Sequence, residues 1–251
     1  MGDLSAHGLG PLPELLAGED LATLILETPL GASLCEGQVL AIAQKVVSKA
    51  EGAVVALADV IPGERARELG SELEKDPRAV QVVLDESAEL LRAERGVLIS
   101  RTHHGFVCAN AGVDASNAAD PDTLIVLPRD PDASARRIRR RLRELTGIAP
   151  GVLITDSFGR AWRNGQVDVA IGIAGMTPLD DWRGRPDARG LQLKATWLAV
   201  TDAAAALADL ARAKDTREPV IVLNGLERYV TPEDGPGVGA LLRPLEEDLF
   251  R

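Results

Sequence analysis

The chain has 251 residues, 45% of them hydrophobic and 26% charged, with a formal net charge of −10. This composition is typical of a globular protein with a sizeable core. The acidic balance argues against nucleic acid as a partner, since such binding depends on Lys and Arg. No apolar run approaches the roughly 20 residues that cross a bilayer, and the N-terminus lacks the basic and apolar regions of a secretory signal. We therefore expect a cytoplasmic protein with no membrane partner.

The cysteines and histidines exclude several kinds of site. Cys35 and Cys108 lie in apolar surroundings, which predicts two buried thiols rather than a disulfide. Two cysteines and three histidines are too few for structural zinc to be expected. No Gly-x-Ser-x-Gly elbow occurs and neither thiol has an evident base beside it, so covalent nucleophilic catalysis is not expected.

The first half of the chain predicts a buried strand and then helices. Residues 39–43 form a short apolar run that favours a strand, and they lead into a polar segment at 44–49. Apolar positions recur with helical spacing over residues 62–91 and predict two or three helices there, with Leu90 and Leu91 on the last of them.

A hairpin is predicted next. Residues 97–100 and 105–109 have the pattern of paired strands around a turn at His103-His104. Neighbouring residues of a strand point to opposite faces, so the two histidines are unlike a metal-ligand pair. A role in the turn is favoured for them.

The second half alternates strands and helices. Strands are predicted at 123–127, 151–155 and 219–223, and helices at 132–147, where Asp132 is the expected cap and Gly147 the stop, and at 201–214. The elements interleave without a regular βαβ rhythm. This pattern favours an α+β fold with mixed sheets and flanking helices.

The most informative segment runs from Ile154 to Gly175. Its first apolar residues end abruptly at Thr155, Asp156 and Ser157. A carboxylate and a hydroxyl at the end of a buried strand are costly unless they bind something, and metal ions and phosphates are the usual reasons. The segment therefore predicts a binding site.

A third acidic residue of this segment, Asp168, lies within an apolar, strand-like run. We interpret it as a structural carboxylate paired with Arg160 or Arg163 rather than as a metal ligand.

Two further polar clusters leave alternatives open. Lys45, Ser48 and Lys49 follow the strand at 39–43 and either donate to phosphate or belong to a solvated helix start. No Walker A loop is present. Asp114 and Asn117 lie in a segment rich in Asn, Gly and Ser, which is typical of a turn but equally supplies one oxygen for a metal and one amide for a ligand.

Several motifs together resemble one known family. They are GPLPELLAGEDL, AQKVVSKAEG, ANAGVDASN, LPRDPDASARRIR, ITDSFGRAWRNGQVDVAIG and LLRPLEEDLF. They occur in the order found in the coenzyme F-420:L-glutamate ligase family, which includes the CofE proteins and the N-terminal half of FbiB. The resemblance runs from about residue 8 to the end, and the DSFGRAWRNGQ and SKAEG stretches are its most specific parts.

The resemblance implies an acid–amino-acid ligase of coenzyme F-420 biosynthesis. It implies that L-glutamate is added to F-420-0, and that a γ-linked tail is then extended, through an acyl phosphate made with GTP. A divalent metal, Mg²⁺ or Mn²⁺, is implied as cofactor. The implied fold is CofE-like, a single domain over residues 1–251 with room for two lobes, in an intertwined homodimer.

The resemblance also implies which residues do this. The GTP-binding set is Leu12, Pro13, Glu14, Leu15, Gln44, Lys49 and Asn117. The metal-binding set is Asp114, Asp156, Ser157 and Glu227, the last carried over on the loop that follows residues 219–223. The implied catalytic residues are Lys49, Asp114 and Asp156.

One family branch continues into a flavin-binding, nitroreductase-like domain, and this chain ends at Arg251. We therefore expect no such domain and no FMN. Two other functions stay open: a GTP-dependent amide ligase on another carboxylate, and a non-catalytic nucleotide-binding homologue.

Overall fold

The computed structural model describes residues 3–116, 121–212 and 217–248. The α-helices are α1 (Leu21–Leu26), α2 (Gln44–Ala50), α3 (Glu64–Leu73), α4 (Pro77–Asp85), α5 (Pro131–Thr146) and α6 (Val200–Ala211). The strands are β1 (Ser5–Gly8), β2 (Val39–Ala43), β3 (Val54–Ala56), β4 (Ser87–Glu94), β5 (Val97–Thr102), β6 (Val107–Ala109), β7 (Thr123–Ile125), β8 (Gly151–Arg160), β9 (Arg163–Ala174), β10 (Leu179–Asp181), β11 (Trp197–Ala199) and β12 (Val220–Asn224). Mixed sheets with flanking helices confirm the predicted α+β class.

A five-stranded sheet with the order β1-β12-β2-β8-β9 carries the main core. Strand β2 runs parallel to β8, and the other neighbours in this sheet are antiparallel. The central strands are almost entirely apolar because helices cover the sheet: α5 and α6 both contact β9. Strands buried on both faces have such continuous apolar sequences.

Helix α5 begins and ends at recognisable caps, but not at the residue that the sequence suggested. Asp130 is the N-cap and accepts the N–H of Ala133, and Gly147 ends the helix with a φ of 79°. Asp132 lies in the first turn instead, where its carboxylate accepts the backbone N–H groups of Ile173 and Val238. The prediction of Asp132 as cap was wrong because this long-range role is invisible in the local pattern.

A second, smaller core lies between α3, α4 and the three-stranded sheet β4-β5-β6. The prediction that Leu90 and Leu91 are helical was wrong, since both lie in β4, paired with β5. The helical spacing of apolar residues ends with α4. The segment that follows is a strand because its backbone pairs with β5. The predicted hairpin is confirmed, with His103 and His104 in its turn and their rings against the carbonyls of Asp85 and Pro128.

The two thiols differ in burial. Cys108 is buried, as predicted, but Cys35 is exposed, so that half of the prediction was wrong. Cys35 lies in a loop before β2, where its apolar neighbours turn inward and the thiol does not. Among the described helices, none is long and apolar enough to cross a bilayer.

Candidate functional site

A cleft of about 440 Å³ opens at the end of the main sheet. Strand β2 ends here beside Thr155 of the parallel strand β8, and the antiparallel strand β12 begins on the other side of β2. The residues that line the cleft are Leu12, Pro13, Glu14, Leu15, Ala43, Gln44, Lys45, Val46, Lys49, Thr155, Asp156, Ser157, Asp168, Arg212, Arg217, Glu218 and Pro219. Crevices at the carboxyl ends of parallel strands are common ligand sites.

One wall of the cleft is the N-terminal loop. Leu12 and Leu15 are buried in the main core and anchor this loop, and the N–H of Leu12 donates to the carbonyl of Arg217 at 3.2 Å. The anchored loop presents the exposed carboxylate of Glu14 to the ammonium of Lys49. The Lys49 side chain is only 11% exposed, so its charge is directed into the cleft.

Helix α2 supplies a second lysine, which connects the cleft to the Asp114 loop. Lys45 Nζ lies 2.6 Å from a carboxylate oxygen of Asp114 and donates to the hydroxyl of Ser116. Burial alone would raise the pKa of Asp114, but hydrogen bonds from Lys45 and Ser116 outweigh burial and hold that pKa below its usual value. Asp114 is therefore ionised and fixed in place.

The Asp114 loop is held by an unusual turn. Asn110, Ala111 and Gly112 have φ values of 51°, 52° and 73°, three consecutive left-handed residues. Asp114 then exchanges two backbone hydrogen bonds with Ile125, at 2.9 and 2.8 Å. Left-handed conformations are costly for residues other than Gly and persist where the surrounding structure requires them.

Asp156 is the most perturbed carboxylate of the cleft. Its pKa is raised to about 7, mainly by burial and also by the charges of Asp168 and Asp114, against opposing effects from the Ser157 backbone and from Lys45. A carboxylate surrounded in this way gains most from a nearby cation.

Ser157 belongs to a group of side chains around the carboxylate of Asp168. Its Oγ donates to Asp168 at 2.6 Å, and Thr155 Oγ1 donates to the other oxygen of Asp168 at 2.9 Å. Arg212 forms a salt bridge with the same carboxylate. The predicted partners of Asp168, Arg160 and Arg163, were therefore wrong.

The two predicted partners lie near the tip of the β8–β9 hairpin instead. The guanidinium of Arg160 donates to the carbonyl of Asn164 there. Asp168, by contrast, pairs with Ser157 in the register of the hairpin, several residues back from its tip. Arg212 follows the last residue of α6, and it contacts Asp168 because α6 packs against β9.

The structure brings together most of the residues that the sequence singled out. Glu14, Lys49, Asp156 and Ser157 line one cleft, together with the other lining residues predicted for GTP, and Asp114 reaches it through Lys45. Asn117 lies outside the described residues.

Glu227 is the exception. It follows the far end of β12, beside Gly37, which precedes β2. Because β12 and β2 are antiparallel, Glu227 and the cleft lie at opposite ends of these strands. Within one chain it does not join the other predicted ligands.

Sequence reasoning missed three charged lining residues, Arg212, Arg217 and Glu218. Arg217 and Glu218 precede the apolar strand β12, and polar residues flanking an apolar run were the signal used at Asp156. The same signal could have found them. Nothing local marks Arg212, which follows an Ala-rich helix.

The oxygen donors of the cleft fit a hard divalent cation, but too few of them converge to hold one without a bound substrate. Carboxylate and hydroxyl oxygens are the ligands that Mg²⁺ and Mn²⁺ prefer, and the raised pKa of Asp156 indicates an uncompensated charge. Across residues 3–116, 121–212 and 217–248, however, no three His, Cys, Asp or Glu side chains converge on one point. Such sites suit Mg²⁺ when substrate phosphates complete them, since one or two carboxylates are then enough.

Comparisons with known proteins agree over the whole chain. The family model for F420-0:gamma-glutamyl ligase matches residues 10–225. A coenzyme F420:L-glutamate ligase of Methanopyrus kandleri is 44% identical over all of both chains. The protein of that name from Methanothermobacter thermautotrophicus is 41% identical over 99% of each chain, and that of Methanocaldococcus jannaschii is 40% identical over 96% of this chain and 94% of its own.

Proposed function

The chain belongs to the F420-0:gamma-glutamyl ligase family, and from this premise we propose that it joins L-glutamate to F420-0 at the expense of GTP. It is a ligase that forms C–N bonds and serves coenzyme F420 biosynthesis by glutamate ligation. The nucleotide, the intermediate, the metal and the extension of a γ-linked tail are the proposed parts. The observation that carries them is the cleft in which Lys49, Asp156 and Ser157 meet.

The cleft supports a nucleotide triphosphate as the co-substrate. Leu12, Pro13 and Leu15 give the cleft apolar lining, as a purine and ribose require, and Lys45 and Lys49 bring positive charge to it. Each lysine is held by a carboxylate, Asp114 or Glu14. We propose that the bound phosphates take over these ammonium groups, which are compact point charges suited to phosphate oxygens.

We assign the metal to the carboxylates of Asp114 and Asp156 and the hydroxyl of Ser157, with Mg²⁺ or Mn²⁺ as the ion. When bound, it would neutralise phosphate charge and hold the transferring group in line. The side chains of Asp156 and Ser157 point to opposite faces of β8, as strand neighbours do. Asp156 and Ser157 would therefore hold separate ions, so the assigned metal is a pair of ions rather than one.

The proposed reaction has two steps. A carboxylate oxygen of the acceptor attacks the γ-phosphorus of GTP, the bond to the bridging oxygen breaks, and GDP leaves. The neutral amine of glutamate then attacks the acyl carbon, phosphate leaves with the former acceptor oxygen, and the amine gives up its proton. For this chain's residues both steps are mainly positioning and charge stabilisation.

We also propose that the enzyme acts as a homodimer in the cytoplasm. Two extensions leave the main core, the β8–β9 hairpin and the β10–β11 region, and both carry exposed apolar side chains. These are Trp162, Leu191, Trp197 and Leu198. Large exposed apolar side chains, aromatic ones above all, are common at interfaces between subunits.

Release of GDP tests the proposed function. Repeated turnover of GTP by the purified protein with Mg²⁺ should require both F420-0 and L-glutamate, since the acyl phosphate has to react before a second GTP is used. Hydrolysis with other carboxylates in place of F420-0 would favour the alternative amide ligase. GTP binding that does not depend on metal, with no turnover under any of these conditions, would favour a non-catalytic homologue.

A further inference from the structure

Asp114, one of the proposed metal ligands, is paired with a positive charge of the chain itself. Its Oδ1 accepts the backbone N–H of Ser116 at 2.6 Å, and its Oδ2 lies 2.6 Å from Nζ of Lys45. The contact with Ser116 belongs to the Asp114 loop and fixes the orientation of the carboxylate. Oδ2 is therefore the oxygen through which Asp114 meets the cleft, since Lys45 is a lining residue of the cleft.

Lys45 acts on the second proposed carboxylate ligand as well. Strand β2 runs parallel to β8 with Ala43 opposite Thr155, and Lys45 comes shortly after Ala43 as Asp156 comes directly after Thr155. The charge of Lys45 lowers the pKa of Asp156, against the larger effect of burial. One ammonium group thus compensates part of the charge of both carboxylates.

An ammonium group and a divalent cation compete for Asp114. A Mg²⁺ ion would approach a carboxylate oxygen to about 2.1 Å, and Nζ of Lys45 already lies 2.6 Å from Oδ2. Two cations on one oxygen are only a few ångströms apart and repel each other. A metal ion therefore binds Asp114 well only after Lys45 has left it.

The side chain of Lys45 is able to move to another partner. The backbone of α2 is held in place, because Val47 and Ser48 are buried, but the lysine stem is flexible and carries three donors. The Lys45 side chain is 22% exposed and lines the cleft. Phosphate oxygens in the cleft would offer its ammonium group anionic partners in place of Asp114.

We propose that Lys45 is an internal counter-cation, which occupies the metal position at Asp114 until GTP binds. The triphosphate draws the ammonium group away from Asp114, and the released carboxylate then binds the metal ion. Lys45 thereby couples the binding of metal to the binding of nucleotide. The inference rests on the proposed function, in that Asp114 is a metal ligand and that the cleft binds phosphates.

Binding of Mn²⁺ without nucleotide tests the proposal, and the electron paramagnetic resonance signal of free Mn²⁺ reports it without turnover. Lys45→Met removes the ammonium group and keeps an unbranched stem. It should tighten Mn²⁺ binding at least about fivefold, the lower end of the usual coupling between two sites. Lys45→Arg keeps the charge and should bind Mn²⁺ no more tightly than the wild type. If Lys45 only held the Asp114 loop in place, Lys45→Met would weaken Mn²⁺ binding instead.

Lys49→Met is the matched control. Lys49 lies on the same helix and lines the same cleft, but its ammonium group pairs with Glu14. Both Met variants should bind GTP more weakly than the wild type in calorimetry with a chelator, because each loses a phosphate contact. Mn²⁺ binding without GTP should tighten only in Lys45→Met.

The neutral variants should fold, because Asp114 is 35% exposed and water can solvate its carboxylate. Lys45→Gln provides a second neutral side chain and should show the same tightening. Mn²⁺ binding by the two folded variants that equals or falls below that of the wild type would overturn the proposal, as would equal tightening in Lys49→Met. A wild-type protein that neither binds Mn²⁺ in the presence of GTP nor ligates glutamate would instead overturn the proposed function.

Discussion

Asp156 combines a perturbed ionisation with a central place in the cleft. Its pKa is raised from 3.8 to about 7, first by burial and then by the neighbouring charges of Asp168 and Asp114. A carboxyl group with a raised pKa binds its proton more tightly in the folded chain. The folded state is therefore favoured at low pH, and this contribution is lost as the pH rises from about 4 to about 7.

Removal of this charge should stabilise the metal-free protein. In buffer with a chelator, Asp156→Asn should gain stability over the wild type by up to about 1.4 kcal/mol per pH unit across that interval, and the difference should level off above it. Denaturant unfolding at several pH values measures this difference. A constant difference between the two proteins would contradict the assigned pKa.

At the residue scale, the sequence revealed polar groups that interrupt apolar runs. Asp156 and Ser157 follow the buried part of β8, and this local contrast was enough to predict a site there. The prediction that the strand ends at residue 155 was wrong, because pairing with β9 continues it to Arg160. The partner of Asp168 was not predictable in the same way. Arg212 lies 44 positions away along the chain, and only the packing of α6 beside β8 and β9 brings the two together.

The left-handed turn Asn110–Gly112 is the element that holds the Asp114 loop. At Gly112, a Cβ would meet the side chain of Leu127 at 2.7 Å, in addition to the strain of a φ of 73°. Gly96, in the turn between β4 and β5, has a φ of 75° and open space around it. A residue with a side chain would therefore be strained at either position, but it would meet a neighbouring side chain only at Gly112.

Alanine substitution at these glycines should separate the two effects. Gly96→Ala should cost about 1 kcal/mol of unfolding free energy, from backbone strain alone. Gly112→Ala should cost at least about 1 kcal/mol more, since overpacking adds to strain. Urea unfolding of both variants measures this difference. Equal losses would mean that Leu127 yields without cost and that the turn is not tightly packed.

Elements were predictable where apolar periodicity and caps agreed. Strand β2 and the stop of α5 at Gly147 follow directly from the sequence. Strand β4 did not, because its leucines continue the apolar content of the preceding helices and only pairing with β5 distinguishes the two conformations. Pairing between segments is a tertiary property, and local spacing does not carry it.

At the scale of the whole molecule, we propose that the two extensions form the contact with a second copy of the chain. Trp162 is 81% exposed at the tip of the β8–β9 hairpin, and Ile61 is 86% exposed in the loop before α3. Both are apolar, but only Trp162 lies on one of the two extensions, the β8–β9 hairpin.

A charge at the hairpin tip should therefore weaken the proposed dimer. We expect the wild-type protein to sediment with about twice the chain mass of 26.6 kDa, since a subunit interface is the usual reason for such a patch. Trp162→Glu should shift it toward the monomer, and Ile61→Glu should leave it dimeric. A monomeric wild type, or equal effects of both substitutions, would contradict the proposed interface.

We propose above all that this cleft ligates glutamate to F420-0 with GTP. Mass spectrometry of F420-0 incubated with the protein, GTP, L-glutamate and Mg²⁺ shows whether it does. We predict products heavier by one or more glutamyl residues, with one GDP formed for each, and none with a folded Asp156→Ala variant. Unchanged F420-0 after incubation with the wild-type protein, or undiminished product from the variant, would contradict the account.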